Sequence, residues 1–451
     1  MKSSPIKPPS FGQALLQAMV DRRLFTFLLL LAFVSAAPLR AQNYTPGAQH
    51  VFTHASGAVP ADTYQYSLWV PKDYKPEHLY PVVFFLHGST GRDHPKEAMK
   101  NMVSDRLVDN KPWTAAGYSG NHPNQFGRGY LHVAPAKPGF SWDMDKFKRL
   151  LDHVKRQVNI DADRVYVTGF SMGGRGAWEV ASIAAPKYRI AAILPIGAYA
   201  CAVVRRGATP ETCETVGTPV WVQHCPLDPV SKISEQILLL QNHLDCGGYG
   251  RLTMIPGKGH IDEPSDADSK YFDLRMEWML SQSHGTPVNT LVQVDGGTIL
   301  EFVSGERGFI GDTARHGFFE PGSVIRITAR ETWNGKRFVK WASASGTFAD
   351  PTARTAVYTT AASDTQIMPL YGTDPVKLAV VGGTAKPTNP QPGDTVTVTA
   401  ERAESNVGTN RHFYWHTDQQ VDIPLPQRRS FMFTMPSRDV TFTARVIPAD
   451  Y

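Results

Sequence analysis

The chain has little of what marks a fibrous, membrane-embedded or disulfide-built protein. Only 4 of its 451 residues are cysteine, far too few for a scaffold held together by disulfides. Charged residues make up 19% against 42% hydrophobic, which excludes a chain kept unfolded by charge and want of apolar groups. No heptad run and no glycine-every-third period occurs, so coiled coil and triple helix are excluded. The longest apolar stretch, residues 24–34, falls short of the ~20 residues of a membrane-spanning helix. No Cys-x-x-Cys pair is present, which removes the usual framework of a structural zinc site. What is abundant is proline, at 34 residues, favouring turns and linkers over long helices. At roughly 100–200 residues per domain the length predicts two to four domains.

The apolar stretch 24–34 follows Arg22-Arg23 and precedes small residues, including Ala36-Ala37 and Leu39-Arg40-Ala41. A basic segment, a short apolar segment and small residues make a secretory signal. Residues 1–41 are therefore expected to be removed, with cleavage after Ala41 or near Ala36-Ala37, and a start at Met19 would give a shorter leader. No cysteine sits there to carry a lipid. The same residues hold five basic side chains and one acid, and so account for four of the five net positive charges. The mature protein is close to neutral, and a nucleic-acid partner is not expected. It is expected to be secreted or periplasmic, with no membrane span. Cys201, Cys213, Cys225 and Cys246 fall within 46 residues and allow three pairings. Cys201 with Cys213 and Cys225 with Cys246 close the shortest loops and are the expected pair of disulfides.

Two kinds of sequence follow the leader. From about Tyr44 to Ser283, short apolar runs alternate with helix-like stretches. Residues 81–86 are continuously apolar, and Phe147, Leu150, Leu151, Val154 and Val158 recur at helical spacing. Asp161-Ala162-Asp163 is read as the break after that helix, and Val165 as the start of a strand. Residues 191–196, 220–222 and 252–255 predict further strands, and 233–244 a helix. Such alternation predicts a mostly parallel sheet with helices on both faces, here over residues 42–285. Beyond it, threonine, valine and glycine rise and helical periodicity is lost. Residues 321–329 (Pro-Gly-Ser-Val-Ile-Arg-Ile-Thr-Ala) are answered by 392–400 (Pro-Gly-Asp-Thr-Val-Thr-Val-Thr-Ala). Gly296-Gly297 is answered by Gly382-Gly383, and Phe338-Val339-Lys340-Trp341 by Phe413-Tyr414-Trp415. Three matches in one order predict two small all-β modules, 286–373 and 374–451.

The chemistry points to one stretch. Gly169-Phe170-Ser171-Met172-Gly173 is a G-x-S-x-G sequence with a β run before it and a helix-competent run after. In that context the serine sits on a sharp strand-to-helix turn, and the glycines are needed because side chains there would collide with the neighbouring strand and helix. A serine hydroxyl needs a base, and the base needs an acid to orient it. This fold arranges them in the order serine, acid, histidine. Asp228 follows the run 220–222, and His260 follows the run 252–255, so each stands on a loop after a strand. Asp245 and Asp262 compete for the acid's place, and His224 precedes the acid and is assigned to shaping the loop. The oxyanion needs two N–H donors. Met172 should supply one and Ser89, after the strand 81–86, the other, with Gly88 as the substitute. Trp142 is a candidate wall of the substrate pocket or a core residue.

With Tyr66-Ser67-Leu68-Trp69-Val70-Pro71, the runs 81–88 and 164–178, and Gly259-His260, the chain resembles secreted α/β-hydrolase esterases. The pattern is similar to feruloyl and acetyl-xylan esterases, polyhydroxybutyrate depolymerases and predicted peptidases. The resemblance covers about 240 residues and implies a Ser-Asp-His carboxylic ester hydrolase with no metal or organic cofactor. Such enzymes usually read His-Gly before the acid, where this chain has His224-Cys225. A Cys225–Cys246 bond would fasten the acid's loop to the helix behind it. The residues after His260 (Ile261-Asp262-Glu263) also depart from the common pattern. The C-terminal part is similar to divergent bacterial β-repeats of internalin-type surface proteins, modules that either grip a polymer or act as spacers. Trp341 and Trp415, one per module, are read as core rather than as sugar platforms. The expected substrate is a feruloyl or acetyl ester of plant cell-wall polysaccharide. The alternatives are a polyester depolymerase, a serine peptidase, or a non-catalytic polymer-binding protein.

Overall fold

The computed structural model describes residues 43–71, 74–89, 129–137, 141–183, 188–198, 213, 215, 217–255, 259–260, 269–305, 308–311, 314–372, 376–401, 412–417 and 421–447. The leader 1–41, Cys201, Asp262 and the junction 373–375 lie outside them.

Eight strands form one sheet: β1 (Gln49–Phe52), β2 (Gln65–Trp69), β3 (Tyr80–Leu86), β4 (Leu131–Ala136), β5 (Ile160–Phe170), β6 (Ile190–Ile196), β7 (Val220–His224) and β8 (Gly250–Met254). Their order is β1-β2-β4-β3-β5-β6-β7-β8. β1 and β2 pair antiparallel with their neighbours, and the six from β4 to β8 are parallel. Four helices accompany them: α1 (Met144–Gln157), α2 (Met172–Ile183), α3 (Ile233–Asp245) and α4 (Ser269–Ser281). Alternation along β3 explains why helices are needed on both sides. Val82, Phe84 and Leu86 pack with residues of α1, α2 and α3, including Phe147, Trp178 and Leu240. Val83 and Phe85 point the other way and pack with Met276, Trp278 and Met279 of α4. Every residue of β3, β6 and β7 is buried, as parallel strands covered on both faces must be. This is the α/β-hydrolase arrangement.

Two expectations need correction. The segment Asp161–Asp163 does not separate a helix from a strand. α1 starts on Asp143, whose carboxylate accepts from the N–H groups of Asp145 and Lys146, and it ends at Gln157. β5 already begins at Ile160, which pairs with Tyr80. Its first residues are half-exposed at the sheet's end, so acidic side chains fit a strand there. The second correction concerns the cysteines. Cys213 is bonded to Cys246, with Cα atoms 5.4 Å apart, so neither the expected Cys201–Cys213 bond nor the expected Cys225–Cys246 bond forms. The expected Cys225–Cys246 bond fails because α3 lies between the two residues. Cys225 follows the C-terminal end of β7, and the 13-residue α3 carries the chain about 20 Å back along the sheet before Cys246. A disulfide needs Cα atoms within about 7 Å. Thr215 Oγ1 lies 2.8 Å from His243 Nδ1, so the segment around Cys213 runs beside the last turn of α3.

The chain from 290 to 447 is built of strands. Thr290–Val294 pairs in parallel with Thr365–Tyr371, and Leu378–Val381 pairs in parallel with Val440–Ile447. Gly297–Ser304 pairs antiparallel with Val324–Ala329 from Gly297↔Ala329, and Gly383–Lys386 with Thr395–Ala400 from Gly383↔Ala400. Trp341 and Trp415 are both buried, each in its own core cluster. A Cβ on Gly297 would meet the Trp341 ring at 2.7 Å, and one on Gly383 the Trp415 ring at 2.6 Å. Both tryptophans are therefore core, and neither offers a face to a sugar.

This β part is fastened to the sheet's last strand. Arg251 of β8, 3% exposed, pairs with Asp364 and, at 2.8 Å, with Asp422, and its guanidinium lies 4.4 Å from the Trp221 ring centre. Tyr249 also donates to Asp364, at 2.8 Å. Burial opposes the arginine's charge, and the two carboxylates outweigh it. Leu252 N–H donates to the carbonyl of Pro424 at 3.2 Å. Leu291 and Phe318 extend the core formed by α4 and the sheet, and Glu277 of α4 pairs with His316.

His132, between Trp69 of β2 and Val83 of β3, is fully buried, with no hydrogen-bond partner for either ring nitrogen among the described residues. Burial lowers its pKa from 6.5 to about 3. Between those pH values the unfolded chain binds the proton and the folded one does not, so acidification destabilises the fold and the loss is absent above pH 7. His132→Phe should therefore gain on wild type by about 3 kcal/mol between pH 7.5 and pH 4.5. Urea unfolding at the two pH values measures this, and an unchanged difference between the proteins would contradict it.

Candidate active site

Ser171 stands between β5 and α2 with φ of 56°, a backbone conformation that costs a non-glycine residue about 1–3 kcal/mol. The surroundings leave it no alternative. A Cβ on Gly173 would lie 1.7 Å from the carbonyl oxygen of Leu86, and one on Gly169 would lie 2.5 Å from the Gly173 backbone. The first turn of α2 thus packs backbone against backbone on the end of β3. Ser171 N–H donates to Ile196 O at 2.8 Å, and Arg175 N–H donates back to Ser171 O at 3.0 Å. Met172 is the first residue of α2, and its N–H has no acceptor within the helix.

The loop after β3 lies against this turn. A Cβ on Gly88 would be 3.5 Å from Ser171 Cβ. His87 is fully buried; its Nε2 accepts from Lys137 N–H at 3.3 Å, so its Nδ1 carries the proton and donates to Gly88 O at 2.7 Å. The Gly88 carbonyl is therefore turned towards the His87 ring. Across a trans peptide the Ser89 N–H points the opposite way. Ser89 itself is exposed, and Thr90 and Gly91 lie outside the described residues.

His260, Asp228 and Ser171 are brought together. His260 Nε2 is 2.9 Å from Ser171 Oγ, and its Nδ1 is 2.6 Å from Asp228 Oδ2. A carboxylate only accepts, so the Nδ1 carries the proton and Nε2 is left to accept from the serine hydroxyl. The Phe170 ring, centred 4.8 Å from the imidazole, packs against it. Asp228 is 2% exposed. Burial pushes its carboxyl up, but hydrogen bonds from His260 and Ser231 and from the Ser231 and Val230 N–H groups outweigh burial and hold it well below the usual carboxylate range. His224 lies beneath, fully buried, with Nε2 2.9 Å from Ser231 O. Burial lowers its pKa to about 4, so it stays a neutral donor that supports the loop.

The competing acids are elsewhere. Asp245 ends α3 on the surface and accepts from Gln241 at 2.6 Å, and Asp262 lies outside the described residues. Trp142 is 6% exposed. Its ring meets His87 edge-on at 5.1 Å and would block a Cβ on Gly176 of α2 at 2.7 Å, which puts it in the core behind the Gly88 loop. Ser231 escaped the sequence reading. Its Oγ lies 2.6 Å from Asp228 Oδ2, 2.8 Å from Gly197 O and 3.2 Å from His260 Nδ1. The available signal was Asp-x-x-Ser, the spacing at which an aspartate bonds to the N–H groups two and three residues on. Among the described residues no group of three or more His, Cys, Asp or Glu could hold a metal ion, and no helix is long and apolar enough to cross a membrane.

Residues 131–267 match the phospholipase/carboxylesterase family, a span that contains all three side chains. The chain is 25% identical over 174 residues to a probable feruloyl esterase C of Aspergillus niger, covering 37% of this chain and 59% of that one. It is 27% identical over 188 residues to feruloyl esterase D of Neurospora crassa, covering 38% and 60%. The chain thus spans about 60% of the length of these curated relatives. Among solved structures it is similar to a thermostable esterase, with 27% identity, a TM-score of 0.40, and coverage of 52% of this chain and 63% of that one.

The contact of Gly173 with Leu86 gives a direct test. Gly173→Ala places a methyl group into backbone and should cost about 3 kcal/mol or more, lowering the melting temperature by about 6–12 °C. Gly217→Ala, where nothing lies within 4 Å, should leave it within about 2 °C. Equal melting temperatures for the two variants in a calorimetric scan would show that the elbow has room to spare.

Proposed function

We propose that the chain is a serine carboxylic ester hydrolase, with Ser171 as nucleophile, His260 as general base and acid, and Asp228 as the group that fixes the imidazole. The single observation that carries this is the unbroken chain of hydrogen bonds from Ser171 Oγ through His260 to Asp228 Oδ2 at a strand-to-helix elbow. Ser171 Oγ attacks the ester carbonyl carbon as its proton passes to His260 Nε2. The oxyanion is held by the N–H groups of Met172 and Ser89; the Gly88 carbonyl, held towards the His87 ring, supports the second choice, since the Ser89 N–H of the same peptide then points the opposite way. Collapse breaks the C–O bond, and the leaving alcohol takes the proton from His260. Water, deprotonated by the same nitrogen, then releases the acid from the acyl-serine. Asp228 stays ionised and stabilises the imidazolium that forms at each step.

For substrate we propose feruloyl or acetyl esters of plant cell-wall polysaccharide. The similarity to two feruloyl esterases supports this, as does the leader expected at 1–41, which would send the enzyme to the periplasm or outside the cell. We read residues 42–285 as the catalytic domain, and 286–373 and 374–451 as two copies of one β-repeat. The shared pairing registers and the matching glycine–tryptophan contacts support the second part of that reading.

Wild type and Ser171→Ala should be compared on p-nitrophenyl acetate and methyl ferulate. Wild type should hydrolyse both, and the variant should lose about 10⁴-fold or more in turnover with an unchanged melting temperature. Hydrolysis no faster than the variant's background would leave a binding protein on a hydrolase scaffold. Clearing of polyhydroxybutyrate without attack on methyl ferulate would shift the substrate to a polyester.

A further inference from the structure

Ser231 is fully buried, and its N–H, its carbonyl and its hydroxyl all bond to residues of the site. The two oxygens of Asp228 are held unequally. Oδ1 accepts from the N–H groups of Val230 and Ser231 at 2.7 and 3.0 Å, so the loop's own backbone pins that corner of the carboxylate. Oδ2 faces His260 Nδ1 at 2.6 Å, and its other hydrogen-bond partner among the described residues is the Ser231 hydroxyl, also at 2.6 Å. A carboxylate pinned at one oxygen can still turn about it, and the hydroxyl removes that freedom. The hydroxyl is in turn tied outside its loop, 2.8 Å from Gly197 O just past the end of β6. A hydroxyl has one proton; the ionised carboxylate takes the stronger share, and the Gly197 carbonyl takes the weaker branch of a three-centre bond. The same strand end holds the serine. Ile196 O accepts from Ser171 N–H at 2.8 Å, and Gly197 N–H donates to Gln223 O of β7 at 3.0 Å. A Cβ on Gly174 of α2 would meet Ile196 O at 2.9 Å and Ala198 Cβ at 2.8 Å. Residues 196–198 therefore touch the elbow on one side and Ser231 on the other. His224 Nε2, donating to Ser231 O at 2.9 Å, keeps the Ser231 backbone in place from below.

We propose that Ser231 is a positioning residue for the Ser171–His260–Asp228 chain: it holds Asp228 Oδ2 against His260 by anchoring it to the strand end that also anchors Ser171. The inference deepens the proposed esterase reading and rests on it for what the three side chains do. In that reaction the imidazole gains a proton as Ser171 attacks, and Oδ2 stabilises the new charge only while it stays in line with Nδ1. A misplacement of about 1 Å is enough to cost about 100-fold in rate. Ser231 is buried beneath the reacting groups and does not reach an ester, so its loss acts on turnover and not on substrate binding. A Ser231 that merely filled the loop would lower stability and leave Oδ2 in place.

Hydrolysis of methyl ferulate by the full-length protein should be measured for Ser231→Ala, Asp228→Asn and the double variant. Ser231→Ala should lower kcat by about 10- to 100-fold and leave KM within about twofold. In the Asp228→Asn background the same change should lower kcat by less than about threefold, because residues that act as one unit do not contribute additively. Ser231→Thr and Ser231→Val have nearly the same shape and differ in the hydroxyl, so crowding at this buried position is common to both. The threonine variant should turn over at least about tenfold faster than the valine variant. A readout that needs no catalysis is the low-field proton resonance of His260 Nδ1–H, identified by its absence from His260→Ala. It should be present in wild type and lost or moved upfield in Ser231→Ala. An unchanged resonance in Ser231→Ala, full additivity with Asp228→Asn, or equal turnover by the threonine and valine variants would each overturn the proposal. Absence of ester hydrolysis by wild type would instead overturn the esterase reading, and the proton resonance would still decide whether Ser231 holds Oδ2 against His260.

Discussion

The contact on which the site depends is the passage of α2's first turn across the end of β3, close enough that even a methyl group on Gly173 would meet the Leu86 carbonyl. Because helix and strand touch through their backbones, the link between β5 and α2 must turn within one residue. Ser171 takes that turn at positive φ and projects its hydroxyl above the sheet. The same contact sets the Gly88 loop beside the serine and leaves the first N–H of the helix, that of Met172, next to it. A helix N-terminus favours negative charge, and here that end is built of main chain beside the serine hydroxyl. Trp142 continues this packing by filling the space over Gly176, where another residue's side chain would push the helix away.

Asp228 and His260 are held by different means. Asp228 is buried yet ionised, since four hydrogen bonds converge on its two oxygens. In a low-dielectric site such a carboxylate persists only when its lone pairs are satisfied, and Ser231 is as much a part of that arrangement as His260. The histidine, in contrast, follows β8, the outermost strand. That strand is steadied from outside the hydrolase sheet, by Arg251 between Asp364 and Asp422. Buried ion pairs of this kind contribute less to net stability than to fixing one arrangement over others. The β part thus has a structural part in the site without contributing a side chain to it.

What could be read from the chain alone follows a simple division. Ser171 was legible because strand, elbow and helix are contiguous, and every constraint on them lies within a dozen residues. Asp228 and His260 were legible through their order and their places after strands, which the topology of a parallel sheet brings to one edge. Ser231 was not, because a serine three residues after an aspartate is common and only the folded loop joins it to the histidine. The partners of Arg251 stand 113 and 171 residues away, beyond the reach of any local pattern. β4 was missed since Leu-His-Val-Ala-Pro-Ala mixes a histidine and a proline into an otherwise apolar run. The disulfide was misread because loop length was counted in residues, whereas a helix converts residues into distance.

The hydrogen bond from Leu252 to Pro424 carries a meaning for the molecule's solubility. β8 ends the eight-stranded sheet, and an open strand edge is a template on which another chain can add. Pro424 occupies one of those positions, and the proline has no N–H of its own with which to extend the ladder. The C-terminal segment therefore works as a stopper on the sheet. A chain shortened to the part that carries the eight-stranded sheet would uncover β8 together with the charge of Arg251, and its tendency would be to join other copies edge to edge rather than to remain a smaller version of itself.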